Sequence, residues 1–456
     1  MKSVSRLKIS AVLVLGLFTA WAGIATAADD VQSTMQDWIS ATKSQGTIPP
    51  GTKITNENWQ QFKQFMPVGM IDLFQGTYFW KMPSDVEMDV GPTVSHPLTK
   101  AYMDASEKYG GQTRVIHEAD GTMNIENYVA GAPFPNPQEP DKGYKILANV
   151  WFPNEPPLIV LSPHSGYGSF CTADRFGNRA CTLTSVVYRQ LAYNSDPSVP
   201  RTEPSANNSW YTEWLMVDQP EQSRYTADLT IFWQDLRQTE DNYVFVPALR
   251  RSLRLSASAR CSPLLGSDMI HDDQRGGYNG GLSIFNAKFL ADRKILGITE
   301  LTDADGKYPD EYDGQVGWSK PSWGPWSLRD VDVIDVRRVP AQRAGYCYGA
   351  RIMYVDKEFM HQLWEEVYDS NLKLWKVVRI HLHPADPAQA KGQTFYPSPG
   401  SLIESYWDLQ NDHKSDVFTA NPDGKSDAVT YDANVPPEFN NITRYSTPGG
   451  LMQIMR

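Results

Sequence analysis

The chain has 456 residues, 41% hydrophobic and 21% charged, with 42 Lys and Arg set against 53 Asp and Glu for a net charge of −11. That acidity excludes nucleic acid as a partner and argues against general binding to anionic lipid surfaces. The length excludes a cysteine-stapled miniprotein in spite of the 4 cysteines, and suits one large β domain or at most two domains.

In chain order, Lys2, Arg6 and Lys8 precede the apolar run Ile9 to Phe18, and Ala25-Thr26-Ala27 offers small residues for a signal peptidase. The pattern predicts a secretory signal over 1–27 and a soluble mature chain in the periplasm that starts at Ala28. Losing three positive charges takes the net charge from −11 to −14. No cysteine follows the apolar run, so no lipid anchor is expected, and no later segment reaches the roughly 20 apolar residues of a membrane span. An exported chain with an even number of cysteines is expected to carry disulfides.

Two early segments have helical spacing. Thr55 to Phe65 places Trp59, Phe62 and Phe65 on one face with Asn56 as cap, and Pro97 to Lys108 turns Leu98 and Tyr102 inward. Both are read as packing helices. From Lys145 onward the chain reads as a meander rich in aromatic residues and punctuated by 32 Gly and 32 Pro. Strands are predicted at 145–152 with both faces covered, then at 158–161, 182–188, 210–217, 225–234, 243–255, 330–339, 346–355, 359–368 and 372–383. The segment Arg237 to Asn242 is a turn signal, as are Asp356-Lys357-Glu358 and Asp369-Ser370-Asn371. Cys171 and Cys181 flank a mostly polar turn and are predicted to bond across a short hairpin. Cys261 and Cys347 either pair or leave Cys347 as a small core residue. From Pro384 the tail is expected to wrap over the domain as coil.

The stretch VFVPALRRSLR, Val244 to Arg254, is an apolar run that turns basic past a proline. Pro247 marks an edge or bulge. Beyond it Arg250, Ser252 and Arg254 share one face, and Arg251 joins Leu249, Leu253 and Leu255 on the other. Arg250 and Arg254 then read as solvated outward residues and Arg251 as the partner of a buried carboxylate; the other reading gives the arginines a ligand.

Catalytic and metal patterns are weak. His164-Ser165 lacks the G-x-S-x-G spacing of a nucleophile elbow, and the acidic run 303–314 has no glutamate closing a calcium loop. His381 and His383 share a strand face, and His361 or Asp386 could supply a third ligand, but such histidines more often hydrogen-bond at a strand end. No cofactor or metal is expected.

YVAGAPFPNP (Tyr128 to Pro137), VFVPALRRSLR, YCYGARIMYVDKE (Tyr346 to Glu358) and YDSNLKLWKV (Tyr368 to Val377), in that order and spacing, resemble the family known as domain of unknown function 1329. GTIPPGTKIT (Gly46 to Thr55) and PTVSHPLTKAY (Pro92 to Tyr102) resemble its N-terminal part. The resemblance spans nearly all of the mature chain. It implies a LolA/LolB-like fold: mainly β, a large antiparallel unclosed (half) β-barrel with a few packing helices and an apolar cavity, here a single domain over 28–456. Two segments depart from the family pattern, the stretch 162–183, read as an extra hairpin or loop, and the late tail from Asn411.

In such a fold Phe134, Trp151, Phe232 and Phe245 are expected to line the cavity, and Arg250 and Arg251 to meet an anionic head group at its mouth. The function expected is a periplasmic carrier or binding protein for a lipid or other hydrophobic small molecule. The resemblance also implies work with an inner-membrane exporter of the resistance-nodulation-division class and an outer-membrane protein. The alternatives are a ligand-free structural adaptor between membrane components and a periplasmic hydrolase or metalloenzyme.

Overall fold

The computed structural model of the protein describes residues 35–41, 45–162, 167–300, 318–383, 401–420 and 437–455. The predicted signal, His164-Ser165, the acidic run, the side chain of His383, Asp386 and parts of the tail lie outside them. Two small hairpins come first, β1 (Lys53–Thr55) with β2 (Glu87–Asp89) and β3 (Arg114–His117) with β4 (Met123–Glu126). The main sheet then runs through β5 (Leu158–Leu161), β6 (Tyr167–Asp174), β7 (Arg179–Gln190), β8 (Ser209–Gln219), β9 (Ala227–Trp233), β10 (Asp241–Val246) and β11 (Arg251–Arg254). It continues with β12 (Phe285–Gly297), β13 (Ser327–Arg338), β14 (Tyr348–Asp356), β15 (Gln362–Asp369), β16 (Leu374–His383), β17 (Ser401–Asp408) and β18 (His413–Ala420).

These 14 strands form one antiparallel sheet in the order β11-β10-β9-β8-β7-β6-β18-β17-β16-β15-β14-β13-β12, with β5 added on β7. Strands β11 and β12 are its two edges and do not pair with each other, so the sheet is unclosed. Its curvature follows from two neighbouring residues. His271 lies 3.1 Å from Thr230 on β9, while Asp272 accepts a 2.7 Å hydrogen bond from Tyr346, two residues ahead of β14. Eight strand spacings separate β9 from β14 in that order, about 38 Å on a flat sheet at ~4.8 Å per strand. Adjacent Cα atoms are about 3.8 Å apart, so the sheet must curl around the segment that holds both contacts.

That segment, 255–284, links the two edges and fills the concave side as a polar plug. Asp273 accepts from Arg351 (2.6 Å) and Tyr348 (2.8 Å), Arg351 also donates to Glu365 (2.8 Å), and Asp272 pairs with Arg260. Asp268 accepts from Ser415 (2.7 Å) on β18. Gly276 and Gly277 take φ of 72° and 96°, and a Cβ on either would fall 2.2 Å from the His361 ring or 1.7 Å from Gln362 Nε2. Only glycine lets the plug backbone pass so close to β15 in that conformation. The Cys261–Cys347 disulfide ties the plug to the approach to β14.

Three helices pack on this frame: α1 (Val68–Gln75), α2 (Lys100–Tyr109) and α3 (Lys142–Trp151). Pro67 precedes α1 and Gly76 closes it at φ 70°; Gly69 lies against Val377 and Glu366, where a Cβ would be 2.8 Å from the valine methyls. Thr99 caps α2, accepting from the Tyr102 N–H at 3.3 Å, and Tyr102 is buried. Helix α3 corrects the strand predicted at 145–152. Tyr144, Ile146, Leu147, Ala148, Val150 and Trp151 are all buried, so the helix is covered nearly all round, and a run apolar on every side has no diagnostic period. The segment Thr55 to Phe65 is a 3₁₀ helix over Trp59–Phe65, with Trp59 and Phe65 buried as expected, but Asn56 does not cap it and instead donates to the Pro83 carbonyl (2.6 Å).

Two further expectations are corrected and one alternative is decided. Of the two readings of 162–183 the hairpin holds: β6 and β7 pair with each other, and β6 also pairs with β18 inside the sheet. Within it Cys171 and Cys181 are directly opposite and disulfide-bonded. The tail is not all coil, since β17 and β18 are interior strands. Finally, Tyr243 to Leu255 is not one strand. The chain turns at Pro247–Leu249, Arg250 takes φ 49°, and β10 pairs back on β11 with Val246 opposite Arg251.

Candidate functional site

The strands β8 to β11 and the plug residues 256–271 line a cavity of about 560 Å³ that is open to solvent on one side. Sheet alternation decides what faces it. Asp228 on β9 and Asn242 and Val244 on β10 point inward, whereas Leu229, Ile231 and Phe245 point outward into a second apolar cluster covered by Tyr445 and Leu451 of the C-terminal segment. Leu215, Val244, Leu255, Pro263, Leu264 and Leu265 supply the apolar wall. Asp228, Asn242, Glu240, Arg260 and His271 gather the polar atoms at the other side.

The polar side is a hydrogen-bonded set. Asn242 donates to Thr230 (2.9 Å) and to Asp228 (3.2 Å), and Thr230 donates to Asp228 (3.3 Å). His271 Nε2 lies 3.1 Å from the Thr230 hydroxyl. Burial pushes the Asp228 carboxyl up to about 6, against the opposing pull of His271 and the bonds from Asn242 and Thr230. Burial lowers His271, but the nearby Asp272 carboxylate and the charge of Glu240 outweigh it and leave it raised. Arg260 is paired on both sides, with Glu240 and with Asp272. Behind this set stands an aromatic cluster: Trp151 lies 5.6 Å from Trp210 and 5.3 Å from Phe232, and the Arg275 guanidinium stacks 4.2 Å from Tyr211.

The sequence-predicted residues separate into groups. Trp151 and Phe232 come together in that aromatic cluster. Phe134 sits elsewhere, its N–H donating to Asn149 Oδ1 (2.9 Å) and Lys145 above its ring at 5.8 Å. Phe245 faces away from the cavity, because alternation sends Val244 inward and a covered outer face can take an aromatic residue. Arg250 and Arg251 are both exposed at the β10–β11 turn, so Arg251 is not a charge on a buried apolar face. His381 is fully buried beside Trp323 and Trp326, and among the described residues no group of three His, Cys, Asp or Glu could hold a metal ion.

Sequence reasoning missed Asp228, Asn242, His271 and the Leu264-Leu265 pair. Two signals were available: Asp228, Thr230 and Phe232 alternate along one strand face, and Leu264-Leu265 is an apolar pair held between Pro263 and Gly266 in a loop.

The family model described as protein of unknown function (DUF1329) matches residues 53–441. The chain belongs to that family. DUF1329 also names a similar solved structure, from Desulfovibrio piger, at 13% identity and a TM-score of 0.43, covering 68% of this chain and 100% of that one. A domain from Vibrio parahaemolyticus described as outer membrane lipoprotein-sorting matches at 15% identity and a TM-score of 0.42, covering 66% and 96%. A LolA superfamily protein from Nitrosomonas europaea matches at 14% identity and a TM-score of 0.33, covering 61% and 90%. No curated protein matches. Among the described residues no helix is long and apolar enough to cross a membrane.

Proposed function

We propose that this DUF1329 protein is a periplasmic carrier or binding protein for a hydrophobic ligand, and that the cavity between β8–β11 and the plug is where the ligand sits. The observation that carries the reading is that cavity. Its volume of about 560 Å³ falls within the roughly 300–1,000 Å³ of small-molecule sites, and it combines an apolar wall with a few convergent polar groups. In this reading Trp151 and Phe232 form the rigid floor behind the site, and the chemistry is binding rather than catalysis. The proposal extends to the family-level expectation that the ligand is exchanged with an inner-membrane resistance-nodulation-division exporter and an outer-membrane protein.

Native mass spectrometry of protein purified from its own cell envelope tests the carrier reading directly. A copurifying lipid or terpenoid is expected. Displacement of the apolar fluorophore N-phenyl-1-naphthylamine gives a second measurement: Val244→Trp, which fills the cavity, should weaken the probe at least tenfold. A protein that carries nothing and binds no probe would instead be the ligand-free adaptor, a reading favoured by how much of the concave side the plug already fills.

A further inference from the structure

We propose that the ligand of this cavity enters with a hydrogen-bond-donating head, an ammonium or a hydroxyl, seated at Asp228, and that anionic lipids are excluded. The inference rests on the carrier reading and deepens it.

The cavity's polar side is short of donors. Asp228 is half-buried, and its hydrogen bonds come from the Asn242 amide (3.2 Å) and the Thr230 hydroxyl (3.3 Å), both uncharged. The neighbouring cations are already engaged: Arg260 with Glu240 and Asp272, and Arg254, at the cavity's edge, with Asp241. His271 reaches the carboxylate only through Thr230, and its other ring nitrogen lies 3.6 Å from Asp272. Asn242 spends its amide hydrogens on Asp228 and Thr230, and its amide oxygen has no hydrogen-bond partner.

An apolar cavity wall with an acceptor-rich end favours an amphiphile whose head supplies further donors, since a half-buried carboxylate with His271 held one side chain away and no cation in direct contact is costly. A carboxylate or phosphate head placed there would meet like charge at close range. The anionic head group expected at Arg250 and Arg251 thus gives way to a donor at Asp228.

The test uses the whole protein loaded with N-phenyl-1-naphthylamine and displaces the probe with dodecylamine, dodecanol or dodecanoate, which share one chain and differ in the head. Dodecylamine, dodecanol or both should displace it at concentrations at least tenfold below dodecanoate. Whichever leads assigns the head as ammonium or hydroxyl. Asp228→Asn keeps the side-chain shape and should compress that ratio below threefold, each displacement being referred to that variant's own probe Kd.

Equal or better displacement by dodecanoate overturns the inference, as does a preference that survives in Asp228→Asn, which would reflect only the protein's overall negative charge. Should that variant melt early, the wild-type ranking is repeated in about 0.5 M salt, which screens the overall charge; loss of the preference there overturns the inference. Absence of any probe binding to the wild-type protein counts instead against the carrier reading.

Discussion

Arg351 and Arg251 show how differently one side chain behaves when its surroundings change. Arg351 is 1% exposed and bridges Asp273 and Glu365 at 2.6 and 2.8 Å, with the Tyr348 ring 4.7 Å from its guanidinium. Truncating one member of a buried charge network strands the others, at a cost of about 3–5 kcal/mol. Arg351→Met should therefore lower the urea-unfolding free energy by that amount. Arg251→Met, at an exposed turn, should stay within ~0.5 kcal/mol of wild type. Near-equal effects would mean that the plug network is not holding the fold. Nothing local in the sequence separates these two arginines, because the partner that buries Arg351 lies on a segment 78 residues earlier.

At the scale of elements, the plug is the part of the fold that short-range pattern reading does not reach. Its contacts are with strands far along the chain, and they require polar inward faces on those strands. On β17, Tyr406 donates to Glu404 (2.6 Å) and reaches the Asp273 carbonyl at 3.3 Å, and on β18 Ser415 donates to Asp268 (2.7 Å). A strand with so many interior polar residues reads as exposed coil, which is why the tail was expected to be irregular. The strands from β13 to β16 were legible because their flanking turns carry Asp, Asn and Gly and their runs are strongly apolar. That the chain is mainly β was legible for the same reason, whereas the unclosed barrel was implied by the family resemblance; the cavity was not legible, since half of its wall belongs to the plug.

The two disulfides give this level its test. The Cys261–Cys347 bond spans a separation of 86 residues and the Cys171–Cys181 bond one of 10. In the chain-entropy picture they are worth about 4–5 and ~3 kcal/mol respectively. Replacing Cys261 and Cys347 together by serine should lower the melting temperature more than the Cys171 and Cys181 double replacement. It should also speed hydrogen exchange across 255–284 and weaken probe binding, whereas the second pair should leave the probe's Kd unchanged. The reverse order of melting temperatures would place the tie between plug and sheet elsewhere.

Across the whole molecule, the interior holds carboxyl groups whose proton affinity folding raises. Burial pushes Glu366 and Glu404 up to about 8, and Glu213 and Glu365 up to about 7. For Glu366 burial outweighs the 2.8 Å bond from the Gly69 N–H at the start of α1. A carboxyl whose folded value lies above its unfolded one, about 4.3 for Glu, binds more protons in the native state. Its stabilisation is present at acid pH and lost as pH rises through the interval from ~4.3 to the folded value.

Two of the buried histidines, His361 and His381, act in the opposite direction. Burial lowers His361 and holds His381 well below its usual range, and the charge of Arg379 adds to this at His381. Both are neutral in the fold, so stability falls as pH drops below their unfolded value of about 6.5. The two trends oppose each other between about pH 4.3 and 6.5; above that interval the glutamates, joined by His271 and His413, whose values the fold raises, make stability fall as pH rises. Thermal melts should therefore show stability declining from about pH 6.5 to 8.5. Glu366→Gln mimics the protonated acid and can still accept from Gly69, so it should shrink that decline and raise the melting temperature at pH 8.5 relative to wild type. It should change the melt little at pH 5, where the wild-type side chain already carries its proton. An unchanged alkaline slope in this variant would show that Glu366 is ionised in the fold and that the interior tolerates its charge.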